Sequence, residues 1–428
     1  MKKWICVIVG VLIVAMLLVG GWRLLEVRRA PVLTLGLYTG GRWDVPIANS
    51  DQFFDTLIRK FEEKHPGVQV AYKSGVLKRD YPEWLASAVL GGKAPDVFLV
   101  LPSDFSYLAG IGALEDLTPY MHTDEDFKRD AYFASALKEG VLNGRQLALA
   151  YEIAPMLMLV NKTLLDREGV AYPPNDWSLE DFYAICARVT HDTDGDGLSD
   201  QFGAYDYTWQ EMVYTSGIRL FNELGSEAYF DQIAMTQAIT FMKHLESLSD
   251  HSKPTSNDFD GGKVAFRPFL FSSYKAYMPY PYRLKKYSHF EWDCLPLPRG
   301  DSGNASVLQS SLIAINAAGK DKALAWDFVK LLVCEEAMQE KLLDLSYGIP
   351  VLKTIFKRDD SVRLLPSDES INLETILDIV ENSVSEPYFR EYSAVMKVAD
   401  REISAIVASQ VDIAQALGEL NAEIKGML

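Results

Sequence analysis

Cysteine is scarce in this chain: four residues in 428, with no C-x-x-C spacing. Three of them, Cys186, Cys294 and Cys334, lie beyond residue 31, an odd number that writes neither a disulfide framework nor a zinc knuckle. The histidines His65, His122, His191, His244, His251 and His289 never recur at i, i+3 or i, i+4, so no helical zinc site is encoded. There is no G-x-S-x-G elbow, no Gly-Lys-Ser/Thr phosphate loop and no G-x-G-x-x-G after a strand. The 59 acidic residues supply many carboxylate pairs, but no spacing singles one out for acid and base work. Lys and Arg number 42 and the net charge is -17, which disfavours a nucleic-acid partner. Repeats and low-complexity linkers are missing too, so any two lobes must be joined by short structured segments.

One long apolar run is present. Residues 4–22 hold no charge and no strongly polar side chain. As a helix they span about 28 Å, the thickness of a bilayer core, whereas a cleavable signal's apolar core is about 7 to 15 residues. Lys2 and Lys3 precede the run and keep the amino end inside, while Arg23, Arg28 and Arg29 on the far side weaken that vote. Residues 1–31 are therefore expected to be a membrane anchor, with Val19-Gly20-Gly21 as the alternative, a poor cleavage site that would release the chain. Cys6 reads as a small hydrophobe of that helix. The first 31 residues carry five Lys or Arg and one Glu, which leaves about -21 on the outer part, scattered as on a soluble surface.

Four hundred residues with 48% apolar content exceed one core, so two lobes are expected. Leu33 to Tyr38 reads as a strand, and Phe53, Phe54, Leu57, Ile58 and Phe61 share one helical face that His65-Pro66-Gly67 ends. Val68 to Tyr72 alternates as a strand, Tyr81 to Leu90 is a helix opened by Asp80, and Val97 to Leu101 is a buried-type strand. This β-α-β-α-β order is that of an α/β sheet packed by helices. It resumes with a strand over Met156 to Asn161 and a helix over Ser178 to Val189, where Ser178 and Asp181 are spaced for a capping box. Tyr229 to Ser247, Ala323 to Leu332 and Tyr392 to Met427 also have helical spacing.

Two stretches carry candidate chemistry. Asp192-Thr193-Asp194-Gly195-Asp196-Gly197-Leu198-Ser199-Asp200 places carboxylates at loop positions 1, 3, 5 and 9, glycine at 6 and the Leu198 carbonyl at 7, the spacing that wraps Ca2+ in oxygens. Position 12 is Gly203 instead of the bidentate Glu, and the alternative is a solvated loop of Asx turns. A cation here is expected to be structural. Between Ala265 and Trp292 stand ten aromatics: Phe266, Phe269, Phe271, Tyr274, Tyr277, Tyr280, Tyr282, Tyr287, Phe290 and Trp292. Most are expected in the core, with two or three facing a ligand such as a sugar, whose CH faces stack on aromatic rings. The interleaved Arg267, Lys275, Arg283, Lys285 and Lys286 read as a solvated face.

Taken in order, several passages resemble the extracellular solute-binding proteins of ABC importers, in the sugar-binding group related to maltose-binding protein. Phe61 to Val68 (FEEKHPGV) resembles the family's first helix-to-strand passage, Ala94-Pro95-Asp96-Val97 its "aPDV" strand, and Gly112 to Pro119 (GALEDLTP) its "G-x-L-x-x-Lt-p" turn. Met158 to Leu165 (MLVNKTLL) is similar to "l-x-YNKdLl", with Pro173 to Trp177 for "pPkTW". Phe259 to Phe266, Leu295 to Pro298, Ala325 to Leu332 and Gly348-Ile349-Pro350 resemble four later passages. The sequence departs at Val160, where the family has Tyr, at Phe266, where it has Met, and at Leu270-Phe271-Ser272, where a sugar-stacking Trp is expected.

The resemblance implies a two-lobed, periplasmic-binding-protein-like type II fold of class α/β, with a hinge and an interlobe cleft, preceded by the transmembrane helix. Lobe 1 is then 32–153 plus 309–350 and lobe 2 is 154–308 plus 351–428, with crossovers near Tyr151 to Pro155 and Gln309 to Ile315. It implies a cleft lined by Trp43, Asp44, Asp104, Tyr151, Glu152, Trp209 and Phe271, each of which has packing as its alternative role. Trp43 follows Thr39-Gly40-Gly41 at a strand's carboxyl end, where open α/β sheets bind ligands. The expected function is that of a non-enzymatic, monomeric, extracellular receptor that delivers a sugar or oligosaccharide to ABC permease subunits. Two alternatives stand: an anchored sensor that signals to a membrane kinase, and an extracellular carbohydrate-active enzyme.

Overall fold

A computed structural model describes residues 31–39, 50–72, 75–222, 224–249, 252–277, 290–300, 306–357, 373–387 and 389–428. The apolar run 4–22, Trp43 and Asp44 lie outside the described residues. Among the described residues no helix is long and apolar enough to cross a membrane.

The strands in chain order are β1 (Val32–Gly36), β2 (Gln69–Tyr72), β3 (Val97–Val100), β4 (Val141–Leu142), β5 (Arg145–Gln146), β6 (Leu149–Asn161), β7 (Phe202–Ala204), β8 (Val264–Leu270), β9 (Trp292–Leu295), β10 (Val307–Ile315), β11 (Ile349–Pro350) and β12 (Val384–Ser385). The main sheet runs β2-β1-β3-β10-β6-β8-β7. β1 pairs in parallel with β2 and β3, as the predicted β-α-β-α-β order requires, and β10 joins β3 antiparallel.

β6 is the spine. Its thirteen residues are almost wholly buried, and its partners change partway along. Leu149 to Pro155 pair with β10, up to the register Pro155↔Leu308, whereas Met156 to Val160 pair with β8 and Met158 to Asn161 with β9. The switch falls beside Pro155, which has no N–H to give a ladder. β10 has its own irregularity between Ser311 and Leu312. β6 contributes to both cores, Leu157 and Leu159 to the first and Met158 and Val160 to the second, whereas the buried core residues of β10 belong to the first.

The first core gathers Phe53, Phe54, Leu57 and Phe61 from the helix Ser50–Lys64 with Phe328, Val329 and Leu332 from the helix Lys322–Val333. Phe61 meets Phe328 edge-on with centroids 5.1 Å apart. The second core centres on Trp177, Phe182 and Phe266, and Trp177 Nε1 donates to Pro296 O at 2.9 Å. The Ser178–Asp181 capping box forms and starts the helix Leu179–Val189. The carboxy-terminal helical stretch is two helices, Tyr392–Ala408 and Ile413–Lys425, because Ser409 is extended and Asp412 caps a fresh start. The helix Leu373–Asn382 sets Ile376, Ile379 and Val380 in the first core. Its Glu381 accepts from Ala134 N–H, while its Thr375 accepts from Asn175, so it is bonded to both halves.

Candidate functional site

The groove between the halves is built from segments far apart in sequence. Its hinge-side cavity, about 240 Å³, is lined by Tyr38, Lys78, Ser103, Tyr151, Gln309 and Ser310, together with Glu386 and Tyr392. Its outer cavity, about 520 Å³, is lined by Phe105 and residues 138–144 from one side, 213–222 from the other, and again Glu386 and Tyr392. Those two side chains therefore stand where the cavities meet. Two further cavities, about 430 Å³ beside Lys243 and about 720 Å³ beside Asp327, each lie within one half.

Acidic groups stand along the groove, Glu139 buried and Asp104 and Glu386 half-buried. Glu139 follows the helix Ala134–Lys138, where Gln146 Nε2 donates to its carbonyl at 2.5 Å. Ser310 Oγ and Ser385 Oγ donate to its two carboxyl oxygens. Burial pushes this carboxyl up to about 7, against the lowering effect of the two hydroxyls. Burial also raises Glu386, which among the described residues receives long contacts from the Tyr214 and Tyr392 hydroxyls, both 3.5 Å. A carboxylate has about four lone-pair sites, so these two contacts among the described residues leave acceptor capacity on a side chain that lines both cavities. Asp104, in the first turn of the helix Pro102–Gly110, is pushed up to about 6 by burial, and its Oδ2 has no hydrogen-bond partner among the described residues.

The residues expected in the cleft are spread more widely. Tyr151 lines the hinge-side cavity, and Asp104 sits between Ser103 and Phe105, which line one cavity each. Glu152 is fully buried, and its Oε1 accepts from Gly348 N–H at 2.7 Å. Trp209 packs in the second core and its Nε1 donates to Asp400 at 2.8 Å. Phe271 is fully buried, 5.9 Å from the Tyr274 ring. None of these last three is among the lining residues. The described part of the aromatic stretch follows suit: Phe266, Phe269, Tyr274 and Trp292 are buried core, and residues 278–289 lie outside the described residues.

Sequence reasoning passed over Glu139, Tyr214, Glu386 and Tyr392. It also passed over a local signal at Asn143-Gly144. Their φ angles of 52° and 74° form the primed turn that this dipeptide favours, closing the β4–β5 hairpin at the groove's rim.

In the acidic loop, Asp192 Oδ1 accepts from Gly195 N–H at 2.6 Å and Oδ2 from Gly197 N–H at 2.7 Å, which lowers its pKa. Asp192, Asp194 and Asp196 each bring an oxygen within 4.8 Å of the others. Asp200 turns elsewhere: it accepts from Thr193 and from Lys263 Nζ at 3.0 Å, and these bonds hold its carboxyl below the usual range. The Leu198 side chain is exposed. A Cβ on Gly203 would lie 2.4 Å from Cys186 Cβ, so no side chain fits at loop position 12.

Two α/β cores joined by paired strands, with a groove lined from both, define a two-lobed binding protein. The pattern that describes bacterial extracellular solute-binding proteins matches residues 47–339, and the chain belongs to that family. A binding protein of Brucella abortus (strain 2308) is 23% identical over 390 residues, covering 84% of this chain and 91% of its own. The sugar-binding protein MalE of Xanthomonas citri shares the fold with a TM-score of 0.75 at 16% identity, over 92% of this chain and 97% of that one. The cyclic alpha-maltosyl-1,6-maltose binding protein of Arthrobacter globiformis shares it with a TM-score of 0.74 at 17% identity, over 93% and 99%.

Proposed function

We propose that this chain is the receptor of an ABC importer, which captures a sugar or oligosaccharide in the groove and hands it unchanged to permease subunits. The observation that carries the reading is Glu386 beside Tyr214 and Tyr392, where the two cavities meet. Aromatic faces take the CH face of a sugar ring, and a carboxylate accepts from its hydroxyls. The sugar-binding neighbours of the same fold favour this ligand class. Tyr151 and Asp104 keep a ligand-side role in this reading, whereas Glu152, Trp209 and Phe271 act through packing.

In the same reading residues 4–22 hold a monomeric chain at the membrane with the lobes outside, or release it if the segment is cleaved. The bodies that close are 32–153 with 309–350 and 154–308 with 351–428, except that the helix Leu373–Asn382, packed in the first core, moves with the first body. A structural Ca2+ in the loop of Asp192, Asp194, Asp196, Leu198 and Asp200 belongs to this proposal, with Asp200 entering only by releasing Thr193 and Lys263. A permanent anchor also suits a sensor that signals to a membrane kinase, and co-purification with permease or with kinase separates the two.

Calorimetric titration of residues 32–428 with mono-, di- and oligosaccharides tests the reading. A saccharide that binds and lowers the radius of gyration in solution scattering is the expected result. Binding of amino acids or polyamines alone, or conversion of any saccharide, overturns it.

A further inference from the structure

The two halves of the groove differ in chemistry. The hinge-side half offers hydroxyls, an amide and a carboxylate from Ser103, Gln309, Ser310 and Glu386. The outer half is walled by branched hydrocarbon: Val141 and Leu142 of the hairpin on one side, Ile218 and Leu220 on the other, and Val384 at the crossing. Val141 and Val384 are 39% and 37% exposed, large apolar side chains left open at the mouth. The outer half's polar groups, Ser106, Tyr214, Glu386 and Tyr392, stand apart from this hydrocarbon wall, and those beside the wall are engaged or peripheral. Asn222 bonds Ser226 within its own turn, and Arg219 and Lys138 are exposed at the rim.

The hairpin is held in place, so this wall is a built surface. Gly140 has φ 68°, and a Cβ there would lie 2.3 Å from Ala148 O. Gln146, 5% exposed, donates from Nε2 to the carbonyls of Glu139 and Ala148. A sugar ring laid against the Val141, Leu142, Ile218 and Leu220 wall would leave hydroxyls facing hydrocarbon without partners, whereas a hydrocarbon group there loses no hydrogen bond and leaves water.

We propose that the groove takes an amphipathic glycoside, with the sugar in the hinge-side half and an apolar alkyl or aryl aglycone in the outer half. The inference rests on the carbohydrate reading and narrows it. Glu386 and Tyr392 line both cavities, so the two halves adjoin and one molecule can reach from one into the other.

The test uses the full chain in lipid nanodiscs, with empty nanodiscs as the blank for partitioning. Methyl, butyl and phenyl glycosides of glucose, galactose and maltose are titrated calorimetrically, each sugar compared with itself. The expected result is at least tenfold tighter binding of the butyl and phenyl members, with a more negative heat-capacity change. The double variant Val141→Thr/Val384→Thr, checked for an unchanged circular dichroism spectrum, is expected to lower that ratio at least threefold. Equal affinities across one sugar's series overturn the inference and leave the carbohydrate reading standing. Failure of every glycoside to bind overturns both.

Discussion

Ser310 Oγ donates to Glu139 Oε2 at 2.5 Å, so a hinge-strand hydroxyl is tied to a carboxyl that is 1% exposed. Ser385 donates to the other oxygen, and the one group thus joins the end of the helix Ala134–Lys138 to β10 and β12.

This carboxyl makes stability depend on pH. Burial raises it from 4.5 to about 7, so between these values the native state keeps a proton that the unfolded chain releases. Its contribution is complete below the lower value and is lost as pH rises through the higher one, a fall on the order of 3 kcal/mol. Glu211 and Glu386 are raised too and slope the same way, so only a difference curve isolates Glu139. Urea unfolding of the wild type and Glu139→Gln from about pH 4 to 8 should show a flatter decline in the variant. Parallel curves would refute the assignment.

The acidic loop makes a prediction of its own. Asp192, Asp194 and Asp196 converge, and a hard cation with oxygen ligands is the species that suits them. Millimolar Ca2+ should raise the melting temperature by at least about 2 °C over chelator, and Mg2+, which demands stricter geometry, should do less. Asp194→Asn should erase the difference. A melting temperature indifferent to Ca2+ leaves the loop as a set of Asx turns.

The sheet was more legible in the sequence than the groove. Apolar spacing marked Phe53, Phe54, Leu57 and Phe61 as one face, and that face is buried. Gly67, with φ 89°, ends the helix where His65-Pro66-Gly67 suggested. These signals are local, within one turn or one strand. Glu139, Tyr214 and Glu386 come from three segments that only the tertiary fold brings together, and no period records such a meeting. The aromatic enrichment between Phe266 and Trp292 was legible as core, because large rings are first of all core-formers, and Phe266, Phe269, Phe271, Tyr274 and Trp292 are buried as expected. Glu152 lies on the expected crossover, but neighbouring strand residues point to opposite faces. Tyr151 lines the groove and Glu152 does not.

Glu152 and Gly348 should therefore couple in stability, not in binding. The Glu152 carboxyl accepts from Gly348 N–H at 2.7 Å, and a Cβ on Gly348 would lie 2.4 Å from Glu152 Cγ and 2.6 Å from Oε1. Gly348→Ala forces those atoms apart, an overpacking cost of about 1–3 kcal/mol. Glu152→Ala leaves a buried donor without its partner and costs a similar amount, about 1–3 kcal/mol. In the double variant the added methyl occupies space that the glutamate has vacated, so the second change costs less than the first did alone. A double-mutant cycle measured by chemical unfolding should give a coupling of at least about 1 kcal/mol. Additive effects would contradict the close approach of the two residues. Ligand affinity in Glu152→Ala should stay within about threefold of wild type, because residues acting through stability alone leave the bound contacts in place. A tenfold loss of affinity at unchanged stability would put Glu152 at the ligand after all.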